Sequence, residues 1–268
     1  MNVTTILASD WYQNLMQLIP DGKLFSLRSV FDGIPRIVQQ LPITIMLTIG
    51  GALFGLVLAL LFAIVKINRV KILYPLQAFF VSFLKGTPIL VQLMLTYYGI
   101  PLALKALNQQ WGTGLNINAI PAAAFAIVAF AFNEAAYASE TIRAAILSVD
   151  AGEIEAAKSL GMTNTQVYRR IIIPNAAVVA TPTLINSLIG LTKGTSLAFY
   201  AGVLEIFAQA KIMSGNDSRY FERFISVSLI YWLINILIEQ LGRWIEQILS
   251  IKDPQVVTQT LQEEERAA

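Results

Sequence analysis

Apolar residues in this chain run together in long blocks rather than alternating or marking one face of short helices. From Pro42 to Val65 the sequence PITIMLTIGGALFGLVLALLFAIV carries no charge. As a helix it is about 36 Å long, enough to cross a hydrocarbon core of roughly 30 Å. A first span is predicted there, with Gly50, Gly51 and Gly55 as a small-residue patch suited to close helix contact. A second apolar stretch, 73–100, is interrupted by Lys85-Gly86-Thr87-Pro88, so its helix should be broken. Residues 101–119 read as a polar loop whose only charge is Lys105, and a third stretch covers 120–147. Further spans are predicted over 177–202 and 224–248. The expected fold is an all-α integral membrane protein with five transmembrane helices, a domain of 42–250. It is flanked by an N-terminal segment, 1–41, and a polar tail, 251–268.

In the N-terminal segment Trp11, Tyr12, Leu15, Leu18 and Ile19 recur at helical spacing beside Asp10, Asp21 and Lys23. It reads either as an interfacial amphipathic helix or as a frayed end. It lacks a basic region ahead of an apolar core, so insertion is expected to be directed by the first span rather than by a cleavable signal. The loop Lys66-Ile-Asn-Arg69-Val-Lys71 has three cations and no anion, which assigns it to the cytoplasmic side. Five spans then put the N-terminus outside and the tail and the 148–175 loop inside. The outer segment 205–223 supports this only partly: Lys211, Arg219 and Arg223 are offset by Glu205, Asp217 and Glu222.

That 148–175 loop, between spans three and four, is the longest polar stretch inside the membrane domain. Asp150 with Glu153 resembles an N-cap and its capping-box partner, opening a helix through Ile154, Glu155, Ala156, Ala157 and Leu160. Gly161 is placed to end it as a residue able to take φ > 0. Thr163 and Gln166 make a second capping box for a helix through Val167, Tyr168, Ile171 and Ile172, and Pro174 leads into the next span. From geometry alone this is either a compact two-helix knob that enters a groove on another protein or an ordinary amphipathic loop.

Composition narrows the function classes. Of 268 residues 56% are hydrophobic and 13% charged, and the mean hydropathy is +0.62. A soluble domain carries about 25% charged residues, so the chain has too few to cover a watery surface. A net charge of +2 without a dense basic cluster gives no nucleic-acid signature. With no cysteine and no histidine, disulfides, His- or Cys-ligated metals and His-dependent triads are excluded. An intramembrane enzyme therefore lacks an evident nucleophile–base pair. The chain also lacks a phosphate loop, since Lys193 precedes Gly194-Thr195 in the reverse of the required order. No internal repeat is detectable, which counts against an inverted-repeat transporter.

Glu155-Ala156-Ala157, then Gly161, then Ile172-Ile173-Pro174 resembles the EAA motif of ATP-binding cassette (ABC) importer permeases. More narrowly, the chain resembles the polar amino acid permeases for histidine, glutamine, arginine and cystine. Three further stretches carry that resemblance: Lys85-Gly86-Thr87-Pro88 through Gln92, Ala136-Tyr137 through Glu140 and Arg143, and Lys193-Gly194-Thr195-Ser196-Leu197. Together the four cover roughly 30–250 in one order. Two positions depart from the family: Gly194, where Asp is common, and Asp150, where Pro is common. The resemblance implies that Glu155, Ala156, Ala157, Gly161 and Pro174 form the loop that docks on an ATPase subunit dimer, which binds ATP and Mg while this chain holds no cofactor. It further implies a second permease, identical or a sibling, an extracytoplasmic binding protein, and residence in a bacterial inner membrane.

Charges inside spans are costly and point to a path or a pair. A zwitterionic amino acid needs donors for its carboxylate and acceptors for its ammonium. Lys193, Thr195 and Ser196 could supply the first, Glu134 or Glu140 the second, and Gln92 could orient either. Glu140 and Arg143, at i and i+3, could equally pair with each other. The leading expectation is an ATP-driven importer permease for a polar amino acid, with the Lys-Gly-Thr-Ser-Leu variant closest to cystine types. The alternative is an ion-coupled secondary amino acid transporter, which leaves the 148–175 loop without a purpose.

Overall fold

The computed structural model describes residues 9–22 and 24–249, so the tail at 251–268 and Lys23 lie outside the described residues. In chain order the helices are α1 (Asp10–Leu18), α2 (Leu27–Val38), α3 (Leu41–Ile67), α4 (Leu73–Gly86), α5 (Ile89–Trp111), α6 (Ala122–Leu147), α7 (Ala151–Ser159), α8 (Asn164–Val167), α9 (Ile173–Gly194), α10 (Ile206–Asp217) and α11 (Tyr220–Leu249). Among the described residues five helices are long and apolar enough to cross a membrane: α3, α5, α6, the continuous run 164–201 and α11. The expected all-α membrane architecture with five spans is what is found.

Spans α3 and α6 form the most extensive helix pair. They approach closely because α3 presents glycine where α6 presents bulk. A Cβ on Gly51 would stand 2.9 Å from Cβ of Phe130, and one on Gly55 would stand 2.7 Å from Cβ of Glu134. Lower down, Ala59 and Ala63 meet Ala138 and Ile142. With no hydrophobic force between helices in lipid, such small-residue contacts let dispersion act over the shortest distance. Around them Leu47, Leu93, Phe130, Leu191 and Ala198 close a shared core between spans.

Three sequence expectations need correction. The second span is α5 alone: α4 is a separate helix of 14 residues, too short to cross. Second, α5 does not end near Ile100 but continues to Trp111, so 101–119 is not all loop. Pro101 is accommodated inside the helix, and Gly112, at φ 63, ends it. Third, 205–223 is not a solvated loop, because α10 is packed against α2 and α11 through Ile37, Ile206, Ala210 and Met213. In the N-terminal segment α2 buries Val30 and Ile37 on one face and exposes Leu27 and Phe31.

The charges assigned to that outer segment staple α2 to α11. Buried Arg223 donates to Asp217 Oδ2 at 2.6 and 2.9 Å and to the Ser29 carbonyl at 2.6 Å. Glu222 accepts from Arg219 at 3.0 Å and from the Ser26 backbone N–H at 3.1 Å, while Ser226 donates to the Val30 carbonyl at 2.6 Å. Partial burial pushes the Asp217 carboxyl up, but the Arg219 N–H and the Arg223 guanidinium outweigh it and hold the group below the usual range.

Candidate functional site

The loop after the third span folds as a small body of its own. Asp150 is the N-cap of α7, accepting from the Gly152 N–H, but Glu153 does not return to the cap. Its carboxylate instead accepts from Asn175 Nδ2 at 3.2 Å, tying α7 to the base of α9. At the far end Gly161 takes φ 80; its N–H reaches the Lys158 carbonyl at 2.9 Å and the Met162 N–H reaches the Ala157 carbonyl at 3.1 Å. Those two bonds form a Schellman motif, which needs a left-handed residue at that position. Thr163 and Gln166 form the reciprocal capping box expected of them, with Thr163 N–H to Gln166 Oε1 at 2.8 Å.

Beyond Val167 the chain departs from the two-helix picture. Tyr168–Ile172 is a π-helical turn, closed by the Ile173 N–H on the Tyr168 carbonyl, and the helix continues without a break into α9. Pro174 stands in the first turn of α9 immediately after this wide turn, where its missing N–H is tolerated. The second half of the loop is thus the head of the fourth span, a rigid extension rather than a separate hinge-mounted helix.

Ala157, Val167 and Ile172 are buried together against Ile146, Val149, Ile154 and Met162. The other face is left open: Glu155 and Ala156 are exposed, and Leu160 is 84% exposed at the tip. Of the alanines in the motif, one builds the loop's own core and the other faces outward. The apolar tip residue Leu160 was missed as a surface feature because helical position alone does not show which face is covered.

Inside the spans the named polar residues do not converge on one point. Gln92 is buried, and its Nε2 donates to the Leu84 carbonyl at 2.7 Å and the Thr87 carbonyl at 2.9 Å, while Oε1 accepts from Asn133 at 3.0 Å. Its amide stitches together the α4–α5 break and ties it to α6. Glu134 accepts from Ser187 at 2.8 Å, linking α6 to α9. Glu140 is paired with Arg143 at 3.0 Å and with Lys66, so both of its oxygens are engaged between the ends of α3 and α6. Lys193 is exposed and forms no ion pair among the described residues. Ser196 donates to the Lys193 carbonyl at 2.8 Å.

Thr195 turns the other way. It opens a 3-10 segment, 195–201, is fully buried and stands 3.5 Å from Tyr231 Oη. Tyr231 in turn donates to Glu205 at 3.0 Å, and Glu205 caps α10 by accepting from Phe207 and Ala208 N–H groups at 2.9 and 2.7 Å. This buried carboxylate was not legible as a functional group in the sequence, where it stood in an apparent loop. The signal was there: an acidic residue directly ahead of a helix start.

A bundle of five spans with a knob continuous with one of them defines a multi-pass membrane protein. The family model for binding-protein-dependent transport system inner membrane components matches residues 51–250. The chain belongs to that family, and its resemblance to polar amino acid ABC permeases holds. It is 38% identical over 221 residues to the probable amino-acid permease protein YxeN of Bacillus subtilis (strain 168), covering 82% of this chain and 94% of that one. It is 34% identical to the L-cystine transport system permease protein TcyL of the same organism, covering 88% and 96%. A crystal structure of an amino acid ABC transporter with histidines superposes with a TM-score of 0.70 at 31% identity, covering 83% of this chain and 98% of that one.

Proposed function

We propose that this chain is the non-catalytic permease subunit of an ATP-driven importer for a polar amino acid, cystine or a close relative, coupled through the 150–172 knob to a separate ATPase dimer that binds ATP and Mg. The observation that carries the reading is the rigid join of that knob to the fourth span. A push on Glu155, Ala156, Leu160 and Gly161 passes through the packed contact of Ala157 with Val167 and Ile172 and then along the continuous helix 164–194 to Lys193, Gly194 and Thr195, where the helix changes to a tighter winding. The names of the relatives give the substrate class, and the cystine assignment draws on TcyL.

The knob and the Lys66–Lys71 loop lie at the same end of the bundle, since the Lys66–Glu140 pair joins the ends of α3 and α6. Arg69, Lys71, Lys158, Arg169 and Arg170 gather there, which favours the cytoplasm for that end and the outside for α1 and α2. Lys193 and Ser196 sit on an open face of the fourth span, and a cation facing lipid is costly. That face suits a second permease copy, identical or sibling, so that the substrate path is completed between two subunits. Substrate would arrive from an extracytoplasmic binding protein.

The test is substrate-stimulated ATP hydrolysis by the reconstituted complex. Gly161→Arg and Glu155→Lys should each abolish the stimulation while the complex still assembles; unchanged hydrolysis in both would overturn the coupling assignment. Lys193→Ala should cut uptake severely, and normal uptake by that variant would remove Lys193 from the path.

A further inference from the structure

Between the lower halves of α3 and α4 runs a groove of about 440 Å³ that no part of the proposed transport path uses. Its walls are Leu61, Phe62 and Val65 on α3 and Leu73, Leu76 and Gln77 on α4. The stacked edges of Phe62, Phe80 and Phe132 close its deep end, with ring centroids 6.2 and 5.4 Å apart. Leu61 and Leu76 are exposed along its lip, so the groove opens sideways from the bundle at the depth of the spans. One polar side chain stands in this apolar wall. Gln77 is 6% exposed, and neither its amide nitrogen nor its carbonyl oxygen is hydrogen bonded. An unpaired buried amide is unfavourable, and the imbalance is removed when a ligand supplies a partner.

Beyond Val65 and Leu73 the turn 68–72 joins the two walls. That turn is fixed: the Val70 N–H reaches the Val65 carbonyl at 3.3 Å, and Arg69 takes φ 48 where glycine is the usual residue. Arg69 and Lys71 are exposed there and have no acidic partner among the described residues, whereas Lys66 is held by Glu140. An apolar slot at membrane depth, an unpaired amide inside it and two uncompensated cations at its mouth follow one another as the parts of a phospholipid do. We propose that this groove is a binding site for an anionic phospholipid. One acyl chain fills the slot, a glycerol ester pairs with the Gln77 amide, and the phosphate headgroup rests on Arg69 and Lys71. The site rests on the membrane reading alone, and uptake measurements neither support nor oppose it.

Native mass spectrometry of the delipidated permease with its ATPase subunit, titrated with defined lipids, tests it. One phosphatidylglycerol should be retained per permease chain, with phosphatidylcholine bound about ten-fold more weakly or worse. The paired substitution Arg69→Ala and Lys71→Ala should erase that preference, and Leu76→Trp, which fills the slot, should displace both lipids. Gln77→Leu should weaken both lipids alike while keeping the preference. Monodisperse elution of each variant confirms that it has folded, and Lys71→Gln serves as a milder version. Because the chain has no cysteine of its own, Leu73→Cys can report a protein neighbour directly. Equal retention of both lipids, retention unaffected by the cation and tryptophan variants, displacement by inorganic phosphate, or a Leu73→Cys crosslink to a second permease copy would each overturn the proposal.

Discussion

The α3–α6 pair and the α2–α11 corner are both helix contacts on which the bundle depends, yet they are made of different materials. Along α3 and α6 the contact is glycine and alanine against Phe130, Glu134, Ala138 and Ile142. At the corner it is Arg223, Glu222 and Ser226 reaching to the backbone of 26–30, with Asp217 holding Arg223. The first lies at mid-span, where an unpaired charge is costly and lipid competes for every apolar surface, so only closeness of approach discriminates. The second lies where α11 begins, beside the aqueous end of the span. There a guanidinium can be partly desolvated and still find a carboxylate and a carbonyl. Depth in the membrane decides which chemistry can hold a helix.

That contrast can be broken most severely at Gly55. Gly55→Leu would drive side-chain atoms into Glu134 and the Ala131 carbonyl, which already stands 3.0 Å from a bare Cβ. Overpacking of this kind costs up to ~3 kcal/mol and occasionally more, so monodisperse protein should be lost on size-exclusion chromatography. Arg223→Met should come next, at about 2–3 kcal/mol in a thermal melt, because Asp217 and the Ser29 carbonyl lose their buried partner. Ser226→Ala removes one bond to the Val30 carbonyl and should cost about 1 kcal/mol, with no effect on the α3–α6 pair.

The smallest effect is in pH. The folded Asp217 carboxyl sits below its ordinary value, so its contribution is present above the unfolded carboxylate pKa of about 4 and is lost as pH falls through the folded one. The melting difference between wild type and Asp217→Asn should therefore be constant near neutrality and shrink below about pH 4. A difference that persisted unchanged into strong acid would mean that Asp217 acts through packing, and the two helix contacts would be less unlike than they look.

Much of the loop was legible because caps are local. Thr163 and Gln166 lie three residues apart and need only each other, and Gly161 follows the last turn of α7. Glu153 was misassigned because its partner Asn175 is 22 residues away and reaches it only once the chain has doubled back. The same limit applied to Gln92 and Glu205. One reads as a polar residue in a broken helix and the other as a loop anion, until folding brings Thr87 and Asn133 to the first and Tyr231 to the second. The end of the second span was also misplaced: α5 runs on through the stretch read as a polar loop, with Pro101 carried inside the helix.

Alone, the order of residues determined that this chain spans a membrane, roughly where it does so, and that a capped loop projects between the third and fourth spans. Those features depend on runs of apolar side chains and on contacts a few residues long. Only the tertiary structure decided that α10 is packed rather than solvated, that the knob is welded to the fourth span, and which polar groups are left without partners. Each of those depends on which surfaces distant segments offer one another, and no local window of sequence contains that information.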